Sequence, residues 1–236
     1  KGLKWFVGQR AHRNIVVKSD NEEAIIQAVN DLGWLPEPSL ADTWPHNARH
    51  EKDHAVFKGR VRSSMAQSGF PEKAWELVVA YAATVMSIEA WAPINQWEQD
   101  ANGNTLEKYK YKESMTRWHC YHGTEFEGPI QPFGRLCYYR GKDTHPMMSN
   151  TLPGFFIGWK LETGLRFRGR LLVLDYEDAK KGKISRRDVK DVDVKEVLFP
   201  DDLQFPMANR RKFCIKHMVD DKSAPPLEAP PALFSK

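Results

Sequence analysis

The chain has 236 residues, 41% of them hydrophobic and 28% charged, a balance that provides material for a true core and excludes a disordered polymer. No run approaches the roughly 18 consecutive apolar residues of a membrane span, because the apolar stretch from Leu77 to Ile88 is too short and carries Tyr81 and Thr84. A formal net charge of +4 permits a nucleic-acid partner without requiring one.

Residues 14–18 (Asn14-Ile15-Val16-Val17-Lys18) read as a buried strand rich in β-branched side chains. Ser19-Asp20-Asn21-Glu22 has the Ser-x-x-Glu form of a capping box, and Ala24, Ile25, Ala28, Val29 and Leu32 continue it as a helical stripe ended by Gly33. Residues 34–46, with Pro36, Pro38 and Pro45, read as a loop or a short extended piece. A second helix is predicted from about Ala48 to Gln67, with a turn at Ser68-Gly69-Phe70. Pro71 opens a third, in which Trp75, Val78, Val79, Ala82, Val85 and Met86 recur at helical spacing. Residues 92–116 break the pattern and read as a linker or insertion. Strands are then predicted at 133–139, 155–159, 170–176 and 194–199, a density that suggests a small β-barrel. The tail after residue 205 is basic and then Pro-rich, with disorder expected from Lys222.

Two acids stand out. Asp20 follows the first strand, and Glu51 falls near the start of the second helix. Carboxylates from a strand end and a nearby helix can converge on two hard divalent cations for phosphoryl transfer, although a helix cap and a solvated charge explain the same spacing. His50-Glu51-Lys52-Asp53-His54 also matches His-Glu-x-x-His, a zinc-protease pattern, with Glu72 as a conceivable third ligand. The charged intervening residues favour instead a surface helix with His46, His50 and His54 on its polar side. Arg49, Lys52, Lys58, Arg60 and Arg62 could lie along a phosphate backbone or form an ordinary solvated face. Further cations cluster at 166–170, 180–187 and 210–212. The three cysteines, Cys120, Cys137 and Cys214, lie far apart without a Cys-x-x-Cys pair, which fits a reducing, intracellular setting and offers no cysteine metal site.

The run Ile15-Val16-Val17-Lys18-Ser19-Asp20-Asn21 resembles the segment carrying the second catalytic Asp of retroviral and retrotransposon integrases. Trp44-Pro45-His46-Asn47-Ala48-Arg49-His50-Glu51-Lys52 is similar to the motif around their catalytic Glu. Pro132-Phe133-Gly134-Arg135-Leu136-Cys137-Tyr138, Pro153-Gly154-Phe155-Phe156-Ile157-Gly158-Trp159 and Val194-Lys195-Glu196-Val197-Leu198-Phe199 resemble strands of copia-like elements. Together these segments cover roughly residues 14–205, in the family's order. Against the family's pattern, Ala48 replaces Gly, Glu22 stands where Gly is usual, and the Pro45–Asn47 spacing is one residue short.

The resemblance implies an α/β, RNase H-like partial domain followed by a small β-barrel of the Src-homology-3 (SH3-like) type. The implied boundaries are residues 1–91 for the end of the integrase core, 92–116 for the linker, 117–205 for the barrel and 206–236 for the tail. It implies that Asp20 and Glu51 are the second and third acids of an Asp, Asp, Glu triad binding Mg²⁺ or Mn²⁺, with Asn47 beside the site. It implies DNA as partner, self-association, no membrane and nuclear action. No acid precedes Asp20 in this sequence, so the triad's first acid is missing from it; the expectation is a piece of a longer polyprotein, inactive in strand transfer alone, or alternatively a relic that binds nucleic acid or assembles with itself without chemistry.

Overall fold

The computed structural model describes residues 15–19, 21–38, 48–89, 91–99, 105–141, 151–220 and 226–227, with the backbone alone at 48–50, 91–99 and 105–114. It is a mixed α/β chain with two compact units, residues 1–59 with 161–168, and residues 60–160 with 169–236.

In the first unit, β1 (Val16–Ser19) pairs in parallel with β2 (Leu35–Pro38), from Val16 opposite Leu35 to Ser19 opposite Pro38. Parallel neighbours require a crossover, and α1 (Glu23–Asn30) lies within it. Pro36 and Pro38 lack amide hydrogens, which suits β2 to an edge. The strand expected to be buried is covered on one face only: Val16 is 53% exposed, and Val17 and Ser19 are half-buried. Val29 and Trp34 are the buried apolar residues here. The capping-box expectation is also corrected. The helix starts after Glu22, which makes no side-chain cap, while its carbonyl accepts from the amides of Ile25 and Ile26 at 3.0 and 3.1 Å. Gly33, with φ +71°, turns the chain toward β2.

The long helix α2 (Ala48–Ser68) has the predicted extent, and its portion from Arg60 onward belongs to the second unit. Gly69 ends it at φ +73°, where a side chain would collide with the backbone of Ala208. Pro71, in extended conformation, precedes a 3-10 turn (Glu72–Ala74), which runs into α3 (Trp75–Glu89). Val78, Ala82, Val85 and Met86 are buried as the spacing requires, together with Leu77 and Ile88, but Val79 is only half-buried and Trp75 is 62% exposed. Residues 92–116, read from sequence as a linker or insertion, fall largely within an antiparallel pair, β3 (Trp91–Gln99) and β4 (Thr105–Thr116).

After α4 (Arg117–His122), the chain forms a five-stranded antiparallel sheet from β5 (Leu136–Arg140), β6 (Thr151–Glu162), β7 (Arg166–Asp175), β8 (Val189–Asp193) and β9 (Val197–Leu198). A short helix, α5 (Tyr176–Lys180), follows β7. The order is β8-β7-β6-β5-β9: a four-strand meander whose fifth strand returns beside the first, in the manner of a Greek key. The expected barrel closure is corrected, since β8 and β9 remain unpaired to each other and the sheet is open. The predicted strand at 194–199 shrinks to two residues because Asp193 caps a 3-10 turn at Val194–Glu196, accepting from the Lys195 amide at 2.9 Å.

One core joins α3 to this sheet. Phe70 makes edge contacts with Phe133 and Phe155 at 5.3 and 5.4 Å between ring centroids. Leu77, Val78, Leu136, Ile157, Leu174 and Tyr176 belong to the same cluster. Each fully buried large apolar side chain contributes about 1.5–3 kcal/mol. Residues on both sides of position 91 share this core. Residues from Pro206 to His217 form a helix, α6, with Met207 buried, and Leu227 is 6% exposed within the core.

Candidate nucleic-acid interface

Glu51 lies in the first turn of α2 and is exposed. Asp20 and Asn47, its expected companions, lie outside the described residues. Of the helix cations, Lys52, Lys58 and Arg62 are exposed, and the side chain of Arg49 is outside the described set. Arg60 serves the packing of two helices, since its Nη1 donates to Glu89 at 2.8 Å. Lys58 and Arg62 are four residues apart, so they project from one face of α2.

For the zinc-protease pattern, His54 and Glu72 are exposed, while His46 and the side chain of His50 lie outside the described set. Among the described residues, no group of three or more His, Cys, Asp or Glu side chains is placed to share a metal ion.

The sheet's cations are largely answered by acids. Asp191 accepts from Arg170 Nε at 2.7 Å and also from Lys160. Arg168 pairs with Glu162 at 2.7 Å, and Lys183 with Asp178 at 3.4 Å. Tyr139 and Asp175 form a buried pair in the same sheet, joined by part-exposed Lys190. Tyr139 donates its hydroxyl hydrogen to Asp175, whose Oδ1 caps α5 by accepting from the amides of Glu177 and Asp178 at 2.9 and 3.1 Å. Lys190 Nζ approaches both, 2.8 Å from the Tyr139 hydroxyl and 3.2 Å from Asp175 Oδ2. Burial pushes the Asp175 carboxyl up, but hydrogen bonds from Tyr139, the Asp178 amide and Lys190 overcome it and hold the group below the usual carboxylate range. Burial, with the Asp175 hydrogen bond and charge, pushes Tyr139 well above the ordinary phenol range. With Tyr139 only 2% exposed, this arrangement braces the sheet.

The contrast is α6. It carries Arg210, Arg211, Lys212 and Lys216 and no acid between Pro206 and His217. It borders a cleft of about 930 Å³ whose far wall includes the end of α2. The sequence pattern reveals the cations at 210–212 but no helix carrying them. The signal for the helix is Pro206 at its first turn, followed by residues without Gly or Pro up to His217.

No family model matches the chain, and no curated protein is found to be similar to it. Among the described residues, no helix is long and apolar enough to cross a membrane.

Proposed function

We propose that the chain derives from the integrase region of a copia-like retrotransposon polyprotein and handles DNA along α2. The observation that carries the reading is the order of elements around the acids. A parallel β1–α1–β2 unit, with Asp20 next in sequence after β1, precedes a long helix with Glu51 in its first turn. That order supports an RNase H-like origin. The returning strand β9, with the 3-10 turn before it, supports a Src-homology-3-type sheet.

Carboxylate oxygens such as those of Asp20 and Glu51 suit Mg²⁺ or Mn²⁺, and Glu51 is exposed and so accessible to such an ion. When bound in the complete polyprotein with a third acid, the metal would neutralise charge on the phosphate undergoing transfer and on the attacking oxygen. Exposed Lys58 and Arg62 would hold the DNA backbone through phosphate contacts that carry no sequence information. Such a protein would act in the nucleus and associate with itself at DNA ends.

The test is duplex DNA binding over a range of salt concentrations. The logarithm of affinity should fall linearly with log salt at about 0.9 for each phosphate contacted. Lys58→Ala with Arg62→Ala should lower that slope by about 1.8, and Arg60→Ala, already paired to Glu89, should lower it less. Salt-insensitive binding removes the proposal. For the chemistry, Glu51→Gln in the longer polyprotein should abolish strand transfer, and retained transfer removes Glu51 from the reaction.

A further inference from the structure

We propose that the cleft between the end of α2 and helix α6 binds a short stretch of single-stranded nucleic acid. This deepens the reading above and rests on it only in that the partner is nucleic acid.

Charge comes first. The cations of the sheet sit beside carboxylates, whereas the helix from Pro206 to His217 contains no acid in its sequence, and its Arg211 and Lys212 are exposed. Arg211 Nη1 donates to the Phe70 carbonyl at 3.5 Å, which holds the guanidinium at the cleft wall. Lys212 beside it is exposed.

Shape and chemistry then separate one polyanion from another. The cleft, at about 930 Å³, falls in the size class of sites that enclose compact ligands, roughly 300–1,000 Å³. That is room for a few unstacked nucleotides and not for a duplex. Its lining places the amides Gln67, Gln204 and Asn209 beside the cations. Amides offer both donors and acceptors, the complement of base edges that are exposed only when a strand is unpaired. Phe213, also in the lining, is 39% exposed; its ring packs against His217 at 4.2 Å between centroids, and its exposed surface offers a place for a base to stack. An acidic peptide would engage the cations but has no need of a stacking face or of paired donors and acceptors.

The experiment is fluorescence anisotropy of the full chain with a labelled oligothymidylate, in parallel with a duplex of equal length and with polyglutamate as competitor. The strand should bind, and Arg211→Ala with Lys212→Ala should weaken it at least about tenfold and lower the salt slope by about 1.4. Phe213→Ala should weaken it at least about fivefold while leaving the slope unchanged. A control double variant, Lys181→Ala with Lys195→Ala, removes the same charge from exposed positions elsewhere. Thermal melting of each variant establishes that it is folded. The proposal is overturned if the control weakens binding as much as the cleft variant, if the strand fails to bind, or if polyglutamate displaces it at matched charge, which would mark an acidic protein as the partner. Failure of duplex binding along α2 leaves this outcome untouched, and the reverse also holds.

Discussion

Tyr139, on the first strand of the sheet, reaches Asp175, at the end of the third, by passing over the strand between them. Its hydroxyl donates to Asp175 Oδ2, and the passage exists because β6 carries glycine at the crossing point. A Cβ at Gly154 would stand 3.2 Å from the Tyr139 ring, 2.7 Å from Val173 Cγ1 and 2.9 Å from the Leu174 carbonyl oxygen.

Two substitutions separate the bond from its passage. Tyr139→Phe keeps the ring and removes the donor to a buried carboxylate, and should cost about 1–3 kcal/mol. Gly154→Ala keeps the donor but overfills the crossing, and should cost about 1–3 kcal/mol through displaced neighbours. Urea unfolding measures both. A Gly154→Ala protein as stable as the parent would mean that Tyr139 does not need the gap.

The same cluster sets the acid limb of stability. The folded pKa of Asp175 lies below its ordinary value of 3.8, so the unfolded chain takes up the proton first. The stabilisation is fully present above the ordinary carboxylate range and is lost as pH falls through the lowered folded value. Asp175→Asn should therefore lower the urea midpoint at pH 6 and flatten its decline toward pH 2. The alkaline limb has the opposite sign. Burial and the neighbouring Glu89 raise Tyr81 from 10.0 to about 12, so stability present below pH 10 is lost between about 10 and 12. Tyr81→Phe should make that limb shallower, though not flat, because Tyr139 is pushed the same way. An alkaline limb as steep as the parent's would exclude Tyr81 as its source.

Gly69 joins α2 to α6. Its φ of +73° disfavours any side chain, and a Cβ would run into the backbone of Ala208. Gly69→Ala should cost about 2–4 kcal/mol, from left-handed strain together with overpacking. Hydrogen exchange should show the loss concentrated in α6. Uniform loss across the sheet would place the strain elsewhere.

Periodicity is a sound guide where one face of an element is buried against a single neighbour. It finds most of the inward face of α3, while the turn residues at 68–70 mark the end of α2 and Gly and Pro turns bracket the apolar centres of β5, β6 and β7. It fails where partners decide the conformation. β8, with Lys190, Asp191 and Asp193 among its five residues, has no apolar alternation to read, and forms because Arg170 and Lys160 meet Asp191 across the sheet. Trp75 lies at core spacing yet faces solvent, since spacing fixes a helix's face but not where the packed layer beside it stops. Helix α6 is hidden by its charge. Of the site, the cations of α2 are legible, but the Glu89 that occupies Arg60 comes from the far end of α3, a separation no local pattern reveals.

The common core of α3 and the sheet has a bearing on inheritance. A gene rearrangement that copied the sheet without the segment from Phe70 through α3 would leave Phe133, Leu136 and Phe155 without Phe70, Leu77 and Val78. The sequence that looks like a seam between two modules is thus a poor place for recombination. Any lineage carrying a stable form of this sheet should carry α3 with it as one unit of descent.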